Sequence, residues 1–146
     1  MYTSKYFAQK EFACKCGCGF GSKPEDIAPD IYFALHIMRS KLQIPFKLTS
    51  AARCLTHNQS VNGGLRSTHL AGVSGDCTPD FVGKCRAVDV DTIKWSISQR
   101  GDAIAMAIAM GIRVGIATTF LHFDCESEPY YREGVWNYGA NESSSI

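Results

Sequence analysis

The chain has 146 residues, 45% of them hydrophobic and 20% charged, which is the profile of one folded domain large enough to bury a core without covalent staples. Fifteen basic and fourteen acidic side chains leave a net charge of +1, too little to steer a polyanion, so no nucleic-acid partner is expected. The longest apolar run, AIAMAIAMGI, is about half of what crosses a bilayer, so no membrane insertion is expected and the run is read as a buried helix.

The opening MYTSKYFAQKEFACKCGCG interleaves charges with aromatics and lacks the apolar core of a secretory signal, so synthesis in the cytoplasm without a signal peptide is expected. Cys14, Cys16 and Cys18 alternate with Lys15 and Gly17, a spacing unlike the C-x2-C knuckle of zinc sites. They are read as small thiols around a Gly-rich turn rather than as a second metal site; a cysteine-based redox or zinc-ribbon protein would rest on these three residues alone. Seven cysteines is an odd number, and in a reducing compartment all can be thiols. Cys54, or the pair Cys77 and Cys85, could bridge in an oxidising one.

From Ile27 the apolar positions Ile31, Leu35, Met38 and Leu42 recur at three- and four-residue steps, and Pro29 sits where a first helical turn tolerates it, so an amphipathic helix is predicted. FKLTSAARC alternates after Pro45 and predicts a strand running into a functional loop. LTHNQSVNGG reads as a short helix stopped by Gly63 and Gly64. Between His69 and Lys84 the glycines, proline, aspartates and serine mark a loop. RAVDVDT restores alternation, Trp95 to Met110 is helical with Gly111 as its stop, and IRVGIATT and FLHFDCE are two further strands, paired as a hairpin through Thr118 and Thr119. The tail GANESSSI is polar. Helices first, then strands separated by one helix, predict an α+β domain with a small, largely antiparallel sheet and flanking helices.

Strand parity bears on which side chains can meet a metal. Residues two apart in a strand share a face, so Asp89 opposes Val88 and Val90, while His122 and Asp124 share one face of FLHFD and Leu121 and Phe123 take the other. With His69 as a second imidazole, the carboxylate is assigned to Asp89, with Asp91 in reserve. Asp76 and Asp80 lie among turn formers, where aspartate caps backbone amides, and are assigned to loop structure. Two histidines and one carboxylate leave a tetrahedral position open, as in catalytic zinc sites. His36 is read as a satisfied structural histidine, and so is His57 unless it borders the cleft. Tyr130, Tyr131, Trp136 and Tyr138 could wall a substrate groove, although aromatic clusters are usually core.

SAARCLTHNQSVNGG, STHLAG, AVDV and FLHFD, in that order, resemble the zinc D-Ala-D-Ala carboxypeptidase and L-Ala-D-Glu endopeptidase family of phage endolysins and murein endopeptidases, whose fold is shared with the hedgehog signalling domain. EFACKCGCG resembles the N-terminus of one branch. The family pattern S-x-H-x-x-G-x-A-x-D begins here at Ser67, His69 and Gly72 and resumes at Ala87 and Asp89; Asp76 falls at the uninterrupted spacing. The resemblance implies Zn2+ on His69, Asp89 and His122. It further implies a single peptidase domain over 1–146, a loop insertion at about 73–84 and a polar tail from about 139.

The resemblance also implies that Arg53 holds a substrate carboxylate or the developing oxyanion. Many members carry an acidic residue three positions before the second histidine as general base; here that position is Thr119, and Asp124 is the nearest acidic candidate, as base or as a support that orients His122. The implied function is a zinc-dependent peptidase cutting stem or cross-link peptides of bacterial peptidoglycan, a phage or prophage lysin. It would act as a monomer on the cell wall after release by lysis machinery or as a virion component. The alternative is a catalytically inactive zinc-containing binding module of the same fold.

Overall fold

Pro29 opens the first helix, α1 (Pro29–Leu42), with its fixed φ and without a backbone N–H to satisfy. The computed structural model describes residues 4–64, 67–70, 84–125 and 134–138. The helix starts two residues after the predicted Ile27 because the chain on either side of Ile27 is engaged elsewhere: Cys85 N donates to Asp26 O and Ala28 N to Cys85 O. Ile31, Leu35 and Met38, one face at helical spacing, are fully buried, and Gln43 ends the helix in a left-handed conformation.

Strand β1 (Lys47–Ser50) follows, with Leu48 buried between exposed neighbours. Helix α2 (Leu55–Ser60) is short. Strand β2 (Ala87–Asp91) leads to helix α3 (Ile97–Ala109), which begins after Trp95 because Ser96 and Gln99 form a reciprocal capping box: Gln99 N donates to Ser96 Oγ and Ser96 N to Gln99 Oε1. Gly111, at φ +75, supplies the predicted stop. Strands β3 (Arg113–Ile116) and β4 (Phe120–Asp124) form the expected hairpin, and β5 (Val135–Asn137) is an element the sequence did not announce.

The sheet order is β1-β2-β4-β3-β5, antiparallel throughout except for the parallel pair β3 and β5. The domain is α+β, as expected. One expectation fails. The apolar run in α3 is not a buried helix: Ala103 and Ala107 are buried, whereas Ala105, Ile108 and Ala109 are exposed, so α3 lies on the surface and presents Ala103 and Ala107 to the core beside α1. None of the helices among the described residues is long and apolar enough to cross a membrane.

The register places the chemistry. Val88 pairs with Phe123 and Phe123 with Val114, and Val90 pairs with Leu121; these rows belong to the hydrophobic core with α1 and α3. Asp89 pairs with His122, His122 with Gly115 and Gly115 with Trp136; Arg113 pairs with Asp124. By strand alternation these polar rows lie on the opposite face, so the same pleat that buries the core lines up the functional groups. The expected insertion at about 73–84 lies, apart from Lys84, outside the described residues, as do Gly72, Asp76, Asp80, Cys77, Tyr130, Tyr131 and the polar tail.

Candidate metal centre

His122 and Asp89 are direct cross-strand partners, and their side chains meet: His122 Nδ1 lies 2.9 Å from Asp89 Oδ1. His69 reaches the same point from the segment preceding Leu70, which is held by Arg53 N donating to His69 O and Arg86 N donating to Thr68 O. His69 Nε2 is 3.3 Å from Asp89 Oδ1 and 3.3 Å from His122 Nδ1. All three side chains are buried.

The outward nitrogen of each ring fixes what the inward one offers. His69 Nδ1 lies 2.6 Å from the Ala51 carbonyl, which can only accept, so Nδ1 carries the proton and Nε2 presents a lone pair. His122 Nε2 donates to Asp124 Oδ2 at 2.7 Å, so Nδ1 is the nitrogen turned toward Asp89 and His69. With both inward nitrogens unprotonated, two imidazole lone pairs and a carboxylate oxygen face one another, which is repulsive unless a positive charge, a metal ion or a proton, lies between them. A tetrahedral ion with ligand bonds near 2.0–2.1 Å has ligand–ligand edges of about 3.3 Å, close to the separations found here. The donor set of two nitrogens and one oxygen suits zinc and leaves a coordination position for solvent or substrate.

The electrostatics follow from burial and neighbours. Desolvation pushes His69 down to about 4, so its ring is neutral at ordinary pH. Burial works against the charged forms of Asp89 and His122 too, but their mutual attraction dominates. Asp89 is held well below the usual carboxylate range by His69 and His122, and His122 is carried up to about 9 by its hydrogen bonds to Asp124 and Asp89. Without a metal, a proton on His122 occupies the gap that the cation would fill.

Asp124 sits behind His122, on the side away from the cluster. Arg113 Nε donates to Asp124 Oδ1 and Arg113 Nη2 to Asp124 Oδ2, both at 2.6 Å, and Thr68 Oγ1 donates to Asp124 Oδ2 at 3.3 Å. Burial raises its pKa, but His122 and Arg113 outweigh that and bring it down to about 2. Of the two roles open to Asp124, this geometry fits orientation of His122.

Arg53 is 1% exposed and borders the cluster. Its Nε donates to Ser50 Oγ and its Nη1 to Asn58 Oδ1, both at 3.0 Å, while Nη2 is 3.5 Å from Asp89 Oδ2. Gly63 makes this possible: a Cβ there would lie 2.0 Å from Asn58 Oδ1 and 2.9 Å from Arg53 Nη1. Gly115 does the same on the sheet, where a Cβ would meet Trp136 at 2.9 Å and Tyr138 at 2.8 Å. The absence of a side chain lets both rings lean toward His122, at centroid distances of 5.6 and 6.5 Å. Trp136 Nε1 and Tyr138 Oη are buried donors without a partner among the described residues, which makes them groups a bound ligand can satisfy.

His36 and His57 are not part of the cluster. His36 stacks on Tyr32 at 4.4 Å between centroids and bonds to Tyr32 O, as its structural reading required. Asp91 uses Oδ1 to accept from Ile93 N at the end of β2 and does not join the cluster either. The sequence missed Arg113 and Thr68. Arg113 had a usable signal, because a short hairpin turn between IRVGI and FLHFD counts back to the Arg113–Asp124 pair.

A search of curated proteins and a search of solved structures gave no match. A family profile described as Peptidase M15 matches residues 5–124, which includes His69, Asp89, His122, Arg53 and Asp124. The chain therefore belongs to the peptidase M15 family, whose members are zinc-dependent.

Proposed function

We propose that the protein hydrolyses peptide bonds in the stem or cross-link peptides of bacterial peptidoglycan, with one zinc ion held by His69, Asp89 and His122. The observation that carries this reading is the three-atom cluster itself, with edges of 2.9–3.3 Å, both ring tautomers fixed from outside and Arg53 at its border. Zinc in a site with three protein ligands polarises a carbonyl and acidifies water toward neutrality.

The chain supplies the rest. Arg53, held by Ser50 and Asn58 and 3.5 Å from Asp89, places a guanidinium beside the cluster, where its charge suits a substrate carboxylate or a developing oxyanion. Trp136 Nε1 and Tyr138 Oη offer further donors at the same wall. Asp124 is a positioning residue: with Arg113 and Thr68 it holds the Nε2 proton of His122 and aims Nδ1 inward. Asp124 is not the proton acceptor in this reading, because its oxygens are already committed.

We further assign the protein to phage or prophage lysis, acting as a monomer on the wall after release from the cell that makes it or as part of a virion. Purified stem peptides incubated with the zinc-loaded protein should yield new amino termini detectable by mass spectrometry, and reduction of turbidity of isolated walls should accompany them. A second reading has its own support: Thr119, in the exposed hairpin turn, stands where the family resemblance implies an acidic base, and Asp124, bound by Arg113 and His122, is not placed to replace it. On that reading the domain binds zinc and wall peptide without turnover. Saturable peptide binding with no new amino termini after prolonged incubation would select it.

A further inference from the structure

Four thiols lie together beside the loop that carries Arg53, whose next residue is Cys54. Cys14 Sγ is 3.4 Å from Cys16 Sγ and 3.8 Å from Cys54 Sγ, Cys16 Sγ is 3.5 Å from Cys54 Sγ, and Cys18 completes a group whose sulfurs all lie within 4.8 Å of one another. We infer that Cys14, Cys16, Cys18 and Cys54 form a second metal site, a closed tetrathiolate that takes zinc or another soft divalent ion and clamps the N-terminal segment onto the loop carrying Arg53.

The geometry answers the spacing objection raised by C-x-C-x-C. Gly17 and Gly19, on either side of Cys18, both have left-handed backbone, at φ +82 and +96, where a side chain would be strained, so the chain curls back there instead of extending. The curl is closed by Gly17 N donating to Cys14 O and Cys14 N donating to Phe20 O. Cys54 arrives from 36 residues downstream of Cys18, at the start of α2.

Zinc–sulfur bonds of about 2.3 Å give a tetrahedron with edges of about 3.8 Å, which the observed separations approach. A disulfide needs its two sulfurs about 2.05 Å apart, and none joins these residues. Backbone N–H groups already point at two of the sulfurs, Cys54 N at Cys14 Sγ and His57 N at Cys54 Sγ, both at 3.4 Å, an arrangement that favours thiolates. Cys14 and Cys54 are buried while Cys16 is exposed, so an ion can enter from the Cys16 side.

All four ligands are protein sulfurs, so no position is left for substrate and the role is structural. Ala52 N donates to Phe12 O, Arg53 lies between Ala52 and Cys54, and α2 carries the Asn58 that holds Arg53 Nη1. The clamp therefore sets the position of Arg53 without touching the reacting atoms.

The test is cobalt titration of reduced, metal-free, full-length protein under anaerobic conditions. One equivalent should bring up a sulfur-to-cobalt charge-transfer band in the near ultraviolet, and a second should bind without adding to it. His122→Ala should lose the second equivalent and keep the band. Cys16→Ser, a change at the solvent-facing ligand that leaves the core intact, should weaken the band and loosen that ion at least tenfold. Absence of the band in wild-type protein overturns the inference, as does a band that Cys16→Ser leaves unchanged. Peptide mapping of protein isolated without reductant that finds these four cysteines oxidised to disulfides would overturn it as well. Because the readout is spectroscopic, the outcome is separate from whether the protein cleaves peptidoglycan.

Discussion

The two clusters are built from opposite materials. His69, Asp89 and His122 meet on a sheet face, where strand register sets their separation, and each ring is braced from behind by Ala51 O or Asp124. Cys14, Cys16, Cys18 and Cys54 meet in loops, where two left-handed glycines and a few backbone hydrogen bonds bend the chain until the ion's own ligands would complete the structure. On the proposed readings the first site keeps one position open for substrate, whereas the second is closed by four protein sulfurs and would serve structure alone.

Substitutions can break that contrast, beginning with the most severe. His69→Ala or Asp89→Ala should drop peptide hydrolysis to background and reduce zinc from two ions per chain to one, measured by elemental analysis, while the thiolate band is kept. Loss of both ions on a single change would show the clusters to be interdependent. Arg53→Ala should lower kcat/KM by about 10²–10³-fold with zinc content unchanged, as removal of one oxyanion donor does. Arg53→Lys should recover only part of this, because an ammonium lacks the planar fork.

Asp124→Asn should weaken zinc binding or activity about 10–100-fold, the ordinary cost of losing a residue that orients a ligand, rather than abolish turnover as loss of a general base would. The same change has an acid signature in the metal-free protein. The folded pKa of Asp124 is depressed from 3.8 to about 2, so its contribution is whole above 3.8 and is lost as pH falls through about 2. That contribution is on the order of 2 kcal/mol, and urea unfolding across this window should show a shallower acid limb for Asp124→Asn. Gly115→Ala should cost about 1–3 kcal/mol by crowding Trp136 and Tyr138, with thermal unfolding as the check, and should move substrate KM more than zinc content.

Most of the sheet chemistry was legible in the sequence because the period of two is a local property. AVDV and FLHFD alternate so strictly that the core and the polar face separate on inspection, and Asp89 and His122 then need only register to meet. His69 came from a motif, since the loop that carries it has no period. The grouping of four thiols was not legible for a physical reason: C-x-C-x-C does not bring its sulfurs together until the backbone turns at Gly17 and Gly19, and Cys54 is brought in by tertiary packing that no local pattern announces. In α3 hydrophobicity was mistaken for burial, although a helix whose buried positions are Ala103 and Ala107 can sit at the surface and still pack closely. β5 is three residues long and pairs in parallel with β3, too short to show a period.

The most direct test of the open site is turnover of purified stem peptides by zinc-loaded wild-type protein and by His122→Ala, followed by mass spectrometry, with metal counted in the same samples. Wild-type protein should generate new amino termini while carrying both ions, and His122→Ala should generate none while keeping only the thiolate-bound one. Cleavage by His122→Ala at the wild-type rate would contradict the assignment of the reaction to this cluster.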